Sequence, residues 1–191
     1  PAGQRFAMPL KTTFRPANTP RKGRGAGINP DGRFEEQTRV SFDDGWGDAG
    51  EDDAPALKTI VTVEHAKSII SRNTSPDVPF TQSINPYRGC EHGCIYCYAR
   101  PTHAYLNLSP GIDFETRLFA KTNAAGLLRA ELARPGYRCA TIALGANTDP
   151  YQPVEREYGI TRNILEVLAA CDHPLNIVTK NALVERDIDV L

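Results

Sequence analysis

Cys90-Glu91-His92-Gly93-Cys94-Ile95-Tyr96-Cys97 sets three thiols within eight residues of chain. Thiolates are ligands for iron–sulfur clusters and for zinc, and a closed site of either kind usually takes four protein ligands. Three cysteines leave one position of a four-metal cluster without a protein ligand, and an open metal position is where a small molecule binds. The spacing alone also suits a zinc site completed by His92 or His103, or a redox pair made by Cys94 and Cys97. Arg88-Gly89 supplies a turn just before the loop, because glycine accepts the backbone angles that a tight loop demands.

Working outward, the stretch 80–87 reads as a strand that delivers the chain into the cysteine loop. Ahead of it, Thr59-Ile-Val-Thr-Val63 is β-branched and strand-like, and 64–71 shifts to a short helical pattern that Ser75-Pro-Asp-Val-Pro79 breaks. Downstream, 114–121 is a mixed apolar stretch. Leu127, Leu128 and Leu132 then share one face of a helix over 124–133, which Pro135-Gly136 stops. Ala140-Thr-Ile-Ala-Leu144 is a continuous apolar run suited to a buried parallel strand. A helix over 158–170 aligns Ile160, Ile164, Leu165 and Leu168, and Leu175-Asn-Ile-Val-Thr179 forms another strand. The chain closes on a helical pattern over 182–191 with Leu183, Val184, Ile188 and Leu191 as its apolar positions. No glycine or proline ends it, and the chain does not begin with methionine, which together read as a fragment of a longer protein. Strands alternating with helices imply βαβ units and a parallel sheet.

Parallel α/β folds put their chemistry at the carboxyl ends of their strands. The cysteine loop follows the first of three such strands, Gly145-Ala-Asn-Thr-Asp149 follows the second, and Lys180 follows the third. All three can converge on one rim. Asp149-Pro150 is also a good turn starter in any α/β protein, Thr148 a good turn hydroxyl, Lys180 a good solvated lysine, and Tyr96 a good packing aromatic.

C-x3-C-x2-C with Tyr96 before its last cysteine resembles the cluster motif of the radical S-adenosylmethionine (SAM) enzymes. With Asn147-Thr148-Asp149 and Thr179-Lys180, the stretch from Ser83 to Leu191 resembles their spore photoproduct lyase branch. A closer likeness is to bacterial radical SAM proteins of unassigned substrate, through Ile84-Asn-Pro-Tyr-Arg-Gly-Cys90 and Asn147-Thr-Asp-Pro-Tyr-Gln-Pro153, with further likeness at Asp43-Asp-Gly-Trp-Gly47 and Ser68-Ile-Ile-Ser-Arg-Asn73.

The resemblance implies an α/β fold, a partial (β/α)6 radical SAM barrel of which 80–191 is roughly the first half, with 58–79 as a strand–helix lead-in. It implies a [4Fe-4S] cluster on Cys90, Cys94 and Cys97, whose open iron chelates SAM. Reductive cleavage then gives a 5'-deoxyadenosyl radical that abstracts hydrogen from a substrate. Tyr96, Asn147, Thr148 and Lys180 are the implied SAM-binding residues, and a reductant such as a flavodoxin or ferredoxin is the implied partner. A hydroxyl exchanges hydrogen bonds with the ligand's polar groups, and a lysine neutralises its carboxylate. One departure matters: the lyase has a hydrogen-returning cysteine two residues before the SAM-contacting hydroxyl, and here that residue is Ala146. Cys139 lies near the start of the second strand, about 20 Å from the Ala146 position at ~3.3 Å per residue, and is no substitute. Tyr98 is the remaining candidate for radical transfer, since a phenol can give up a hydrogen atom, and equally a candidate packing residue.

Charge and composition bound the rest. The 191 residues carry a net charge of −1, yet residues 1–33 hold seven basic side chains against Asp31, and the stretch that follows is strongly acidic. Such Gly- and Pro-rich blocks bury too little apolar surface to offset ordering entropy, so 1–57 is expected as a disordered tail, basic then acidic. Its sharper reading is a basic arm on nucleic acid. With the zinc option for the cysteines, that makes a non-catalytic zinc or iron–sulfur nucleic-acid-binding module the alternative function. No window is long and apolar enough to span a membrane and no cleavable leader is recognisable. Five cysteines with three clustered suit a reducing, cytoplasmic compartment. Cys139 and Cys171, alone in apolar surroundings, are expected as buried small hydrophobes.

Overall fold

The computed structural model describes residues 24–31, 34 and 57–191. Most of the expected 1–57 tail, including the Asp43–Gly47 segment, lies outside the described residues. Seven strands form two small sheets and, among the described residues, no closed barrel. The four-stranded sheet has the order β2 (Ile70–Arg72), β3 (Gln82–Ile84), β6 (Ile142–Leu144) and β7 (Leu175–Ile177). In it β3, β6 and β7 run parallel and in level register, Ile84 beside Leu144 and Leu144 beside Ile177, so their carboxyl ends share one rim. The three-stranded sheet has β5 (Arg117–Ala120) at its centre, with β1 (Ile60–Val63) parallel on one side and β4 (Tyr87–Arg88) antiparallel on the other.

Helices cover the larger sheet as the apolar spacing predicts. Helix α2 (Ala124–Leu132) packs against α4 (Ile160–Ala169), which buries Ile160, Ile164, Leu165, Val167 and Leu168. These meet Ile84, Ile142 and Leu144 in the core, and each such side chain contributes about 1.5–3 kcal/mol through burial. Two shorter helices, α1 (Asp113–Thr116) and α3 (Glu155–Tyr158), precede β5 and α4. Gly159, with φ +60°, breaks the expected single helix over 158–170 into α3 and α4, since a left-handed residue cannot continue a right-handed helix.

Other expectations change for physical reasons. The strand expected over 80–87 divides at Asn85-Pro86: β3 joins one sheet and β4 the other. Proline has no N–H for a ladder, and Pro86 instead offers its carbonyl to Lys121 N at 3.1 Å. No helix forms over 64–71. The β-branched pair Ile69-Ile70 turns the chain into β2, antiparallel to β3, while the Glu131 carboxylate accepts from both their backbone N–H groups at 2.8 and 3.1 Å. The closing segment Ala182–Val190 is a 3-10 helix, capped by Asn181, whose Oδ1 accepts from Leu183 N.

Cys139 and Cys171 are exposed, contrary to expectation, because Cys139 precedes β6 and Cys171 occupies the turn after α4, outside the core-facing stretches. Cys90 is buried, and burial pushes its thiol up to about 11. Thiolate is the reactive form. In metal-free protein, iodoacetamide should therefore modify Cys139 and Cys171 before Cys90, as read by peptide mass spectrometry; modification of Cys90 first would contradict its burial.

Candidate functional site

The loop that carries the three cysteines is held from both sides. Gly89 adopts φ +75° at its entry, where a Cβ would lie 2.7 Å from the Leu118 side chain and 2.8 Å from the Phe114 carbonyl. Cys90 N donates to Phe114 O at 2.9 Å. The buried Gln152 amide clamps the loop, accepting from Glu91 N and donating to Gly89 O, both at 3.1 Å. Further along, Arg100 donates to the Cys94 carbonyl from two nitrogens, at 3.0 and 3.1 Å, and pairs with the fully buried Glu115.

Glu115 also accepts from Gly25 N at 2.9 Å and Ala26 N at 3.0 Å, and its backbone carbonyl accepts from Arg24 at 2.8 Å. Asn29 and Asp113 exchange side-chain and backbone hydrogen bonds two residues before Glu115. Residues 24–30 thus form a strap over the cysteine loop. Gly25 approaches so closely that a Cβ there would collide with the Gly93 carbonyl. This part of the expected tail is anchored by main-chain donors that a carboxylate collects, which charge blocks and composition do not reveal.

The opposite side of the site comes from the segments after β6 and β7. Asp149 ties them together: its carboxylate accepts from Tyr151 N at 2.9 Å, Thr179 Oγ1 at 2.7 Å and Lys180 N at 3.0 Å. His92 Nε2, on the cysteine loop, stands 3.2 Å from Asp149 Oδ2, within ion-pair reach but off hydrogen-bond alignment. Burial opposes ionisation of Asp149, yet its contacts with His92, Lys180, Thr179 and Tyr151 together hold its pKa below the usual aspartate value. A depressed carboxylate pKa stabilises the fold above the ordinary pKa, and that contribution fades as pH falls through the folded-state value. Asp149→Asn should cost about 1–3 kcal/mol at neutral pH. The difference from wild type in urea denaturation should shrink as pH falls below the ordinary aspartate range, and a pH-independent difference would contradict this account.

Lys180 carries the contact between the two sides. Its Nζ lies 3.0 Å from Cys94 Sγ and 3.5 Å from the His92 carbonyl, and the sulfur contact raises its pKa. Beside it opens a cavity of about 520 Å3, in the size range of small-molecule sites. Tyr96, Tyr98, Asn147, Thr148 and Lys180, all singled out from sequence, line it together with Asp149. Thr148 Oγ1 donates to the Tyr87 carbonyl at 3.1 Å, leaving its lone pairs as acceptors. Tyr96 and Tyr98 are exposed, 82% and 76%, and Tyr98 donates to the Ala146 carbonyl. Burial, then the neighbouring Cys97, raises the Tyr98 pKa. Among the described residues no three His, Cys, Asp or Glu side chains converge on a single ion-sized point.

Asp149, Gln152, Arg100 and Glu115 were not picked out as site residues from sequence. Asp149 and Gln152 lie in the same polar loop as Thr148, which is the local signal available for them. Glu115 has no such signal, because its partners Gly25 and Ala26 are about ninety residues away.

No protein-family model matches the chain, and no solved structure does. Over 114 residues it is 51% identical to uncharacterized proteins of Mycobacterium bovis and Mycobacterium tuberculosis, covering 60% of this chain and 34% of each relative. It is 30% identical over 125 residues to an uncharacterized protein of Methanocaldococcus jannaschii, covering 65% of this chain and 44% of that one. The chain thus spans about a third of the length of the mycobacterial relatives it matches. Among the described residues no helix is long and apolar enough to cross a membrane.

Proposed function

We propose that the chain is the cluster-bearing part of a radical SAM enzyme, from a partial (β/α)6 barrel, acting in the cytoplasm. The observation that carries this reading is the Lys180 ammonium, 3.0 Å from Cys94 Sγ at the edge of the cavity lined by Tyr96, Asn147 and Thr148. The donor set fits the cofactors: Cys90, Cys94 and Cys97 would hold the [4Fe-4S] cluster, and Tyr96, Asn147, Thr148 and Lys180 would hold SAM. When bound, the two supply one-electron chemistry that cleaves a carbon–sulfur bond and leads to hydrogen abstraction from a substrate.

The chain's own residues bind and orient. Lys180 neutralises the amino-acid carboxylate as a point charge, Thr148 accepts and Asn147 donates hydrogen bonds, and the Tyr96 ring offers a flat apolar face. Gln152, Arg100 and the 24–30 strap keep the cysteine loop in place, so little reorganisation accompanies binding. Tyr98, hydrogen-bonded to the Ala146 carbonyl, stands in for the missing lyase cysteine as the hydrogen-transfer candidate. The electron comes from a reductant of flavodoxin or ferredoxin type.

The test is reconstitution without oxygen, followed by electron paramagnetic resonance of the reduced protein with and without SAM. About four iron and four sulfide per chain and a signal that SAM perturbs are expected. Stoichiometric zinc without sulfide overturns the reading and favours the metal-binding module that engages nucleic acid.

A further inference from the structure

Asn147 and Thr148 line a second, smaller cavity of about 210 Å3 as well as the first. Its walls include Asn85, Arg88, Ser71 and Lys121. Asn85 and Lys121 directly follow β3 and β5, so the cavity opens at strand carboxyl ends, as the first one does.

The charges in this cavity do not balance. Arg88 is already engaged, its guanidinium held by the two carboxylate oxygens of Glu64 at 2.9 Å each. Lys121 Nζ donates to the Asn85 carbonyl at 2.8 Å, and among the described residues no carboxylate lies within ion-pair distance of it. An ammonium has three donors. Burial, with the nearby Arg88 charge, lowers the Lys121 pKa, while Glu64 acts the other way. A cation withdrawn from water beside a second cation is costly unless an anion joins it.

We infer that this cavity receives a phosphoryl group of the substrate, with Lys121 as its counter-charge and Asn147 and Ser71 as further hydrogen-bond donors. The choice of a tetrahedral oxyanion rests on direction. Lys121, Asn147 and Ser71 line the cavity from three separate segments, the end of β5, the stretch after β6, and β2, and so do not form the fixed parallel fork of a single guanidinium. A planar carboxylate is better served by a parallel fork such as arginine's, which Glu64 already occupies here. The inference rests on the radical SAM reading and deepens it: the shared Asn147–Thr148 wall puts the anchored phosphate next to the reaction cavity, so the substrate is a phosphate ester whose reacting carbon lies a short distance from the phosphorus.

The test is calorimetric titration of the full chain with inorganic phosphate, before and after cluster reconstitution, with acetate as the planar comparison. Saturable phosphate binding is expected, with acetate weaker. Lys121→Met should weaken phosphate about tenfold or more, the loss of one charge-assisted hydrogen bond. Ser71→Glu, at an exposed rim position, should weaken it without disturbing the interior, and serves if the Met variant does not fold. Competition by glycerol phosphate identifies a small ester, and competition by a short single-stranded oligonucleotide alone identifies a nucleic-acid backbone; either upholds the site. Absence of phosphate binding, binding that neither variant changes, or binding with which neither ester competes overturns it. Lys121-dependent binding without a cluster would sink the radical reading alone, and a cluster without phosphate binding would sink the phosphate site alone.

Discussion

Cys94→Ala is expected to eliminate the SAM cleavage proposed for this chain while leaving the fold intact. The backbone of the loop is fixed by groups the substitution does not touch: Arg100 on the Cys94 carbonyl, Gln152 on Glu91 and Gly89, and Phe114 on Cys90. Removing one thiol would leave the proposed cluster with two protein ligands, and it takes away the partner of the Lys180 ammonium. The assay is chromatography of 5'-deoxyadenosine formed by reduced, reconstituted protein, with thermal unfolding as the control for fold. Deoxyadenosine below detection beside a near wild-type melting temperature is the expected result. Continued formation of deoxyadenosine would end the assignment of Cys94 as a cluster ligand.

The second large effect lies beneath the site. Glu155 is fully buried, and its carboxylate accepts from Tyr87 Oη at 2.5 Å, Thr161 N at 2.9 Å, Arg162 N at 3.3 Å and Arg186 at 3.0 Å. Two of these donors are main-chain N–H groups of the first turn of α4, whose N-cap, Gly159, has no side chain to satisfy them. Burial, with the Glu155 charge next, drives the Tyr87 pKa far above the usual tyrosine value, so its hydroxyl stays protonated and donating. Glu155→Ala would strand the Tyr87 hydroxyl, two backbone donors and part of Arg186. Arg186, a third exposed, keeps its pairing with Asp187, so the cost falls on the stranded buried donors, about 1–3 kcal/mol each, against a total stability of about 5–15 kcal/mol for a domain. Urea denaturation should show this loss, with Glu155→Gln losing less because its carbonyl still accepts. A loss under about 1 kcal/mol would show that the four contacts are not the ones that hold α4 and β4 together. The effect should reach the cavity, since the Tyr87 carbonyl is the acceptor for Thr148 Oγ1.

The elements that sequence made legible are those written in local pattern. The apolar run at 140–144, the strand pattern at 175–179, and the α4 spacing of Ile160, Ile164, Leu165 and Leu168 identify parallel strands with a covering helix because burial on one face imposes a period. The convergence of three strand ends follows from the parallel pairing that strand–helix alternation implies, and it brings Tyr96, Tyr98, Asn147, Thr148 and Lys180 to one cavity. Local pattern misleads where a distant group changes the outcome. The 64–71 segment has a helical spacing, yet the Glu131 carboxylate, sixty-two residues from Ile69, takes its backbone donors and leaves Ile70 free to extend along β3.

By itself, the sequence determined the three-cysteine loop, the alternation of strand and helix, and the polar segments that end the strands, because each is encoded by neighbours within a few turns of chain. Only the tertiary structure decided that Lys180 meets Cys94, that Asp149 joins three segments, that Gly25 and Ala26 strap the loop through Glu115, and that Lys121, half-buried, has no carboxylate within ion-pair distance among the described residues. The physical reason is that buried backbone donors and side-chain charges must find partners somewhere, while the entropy of closing a loop grows only slowly with its length. A partner ninety residues away therefore costs little more than one twenty residues away, and no local periodicity marks which one is used.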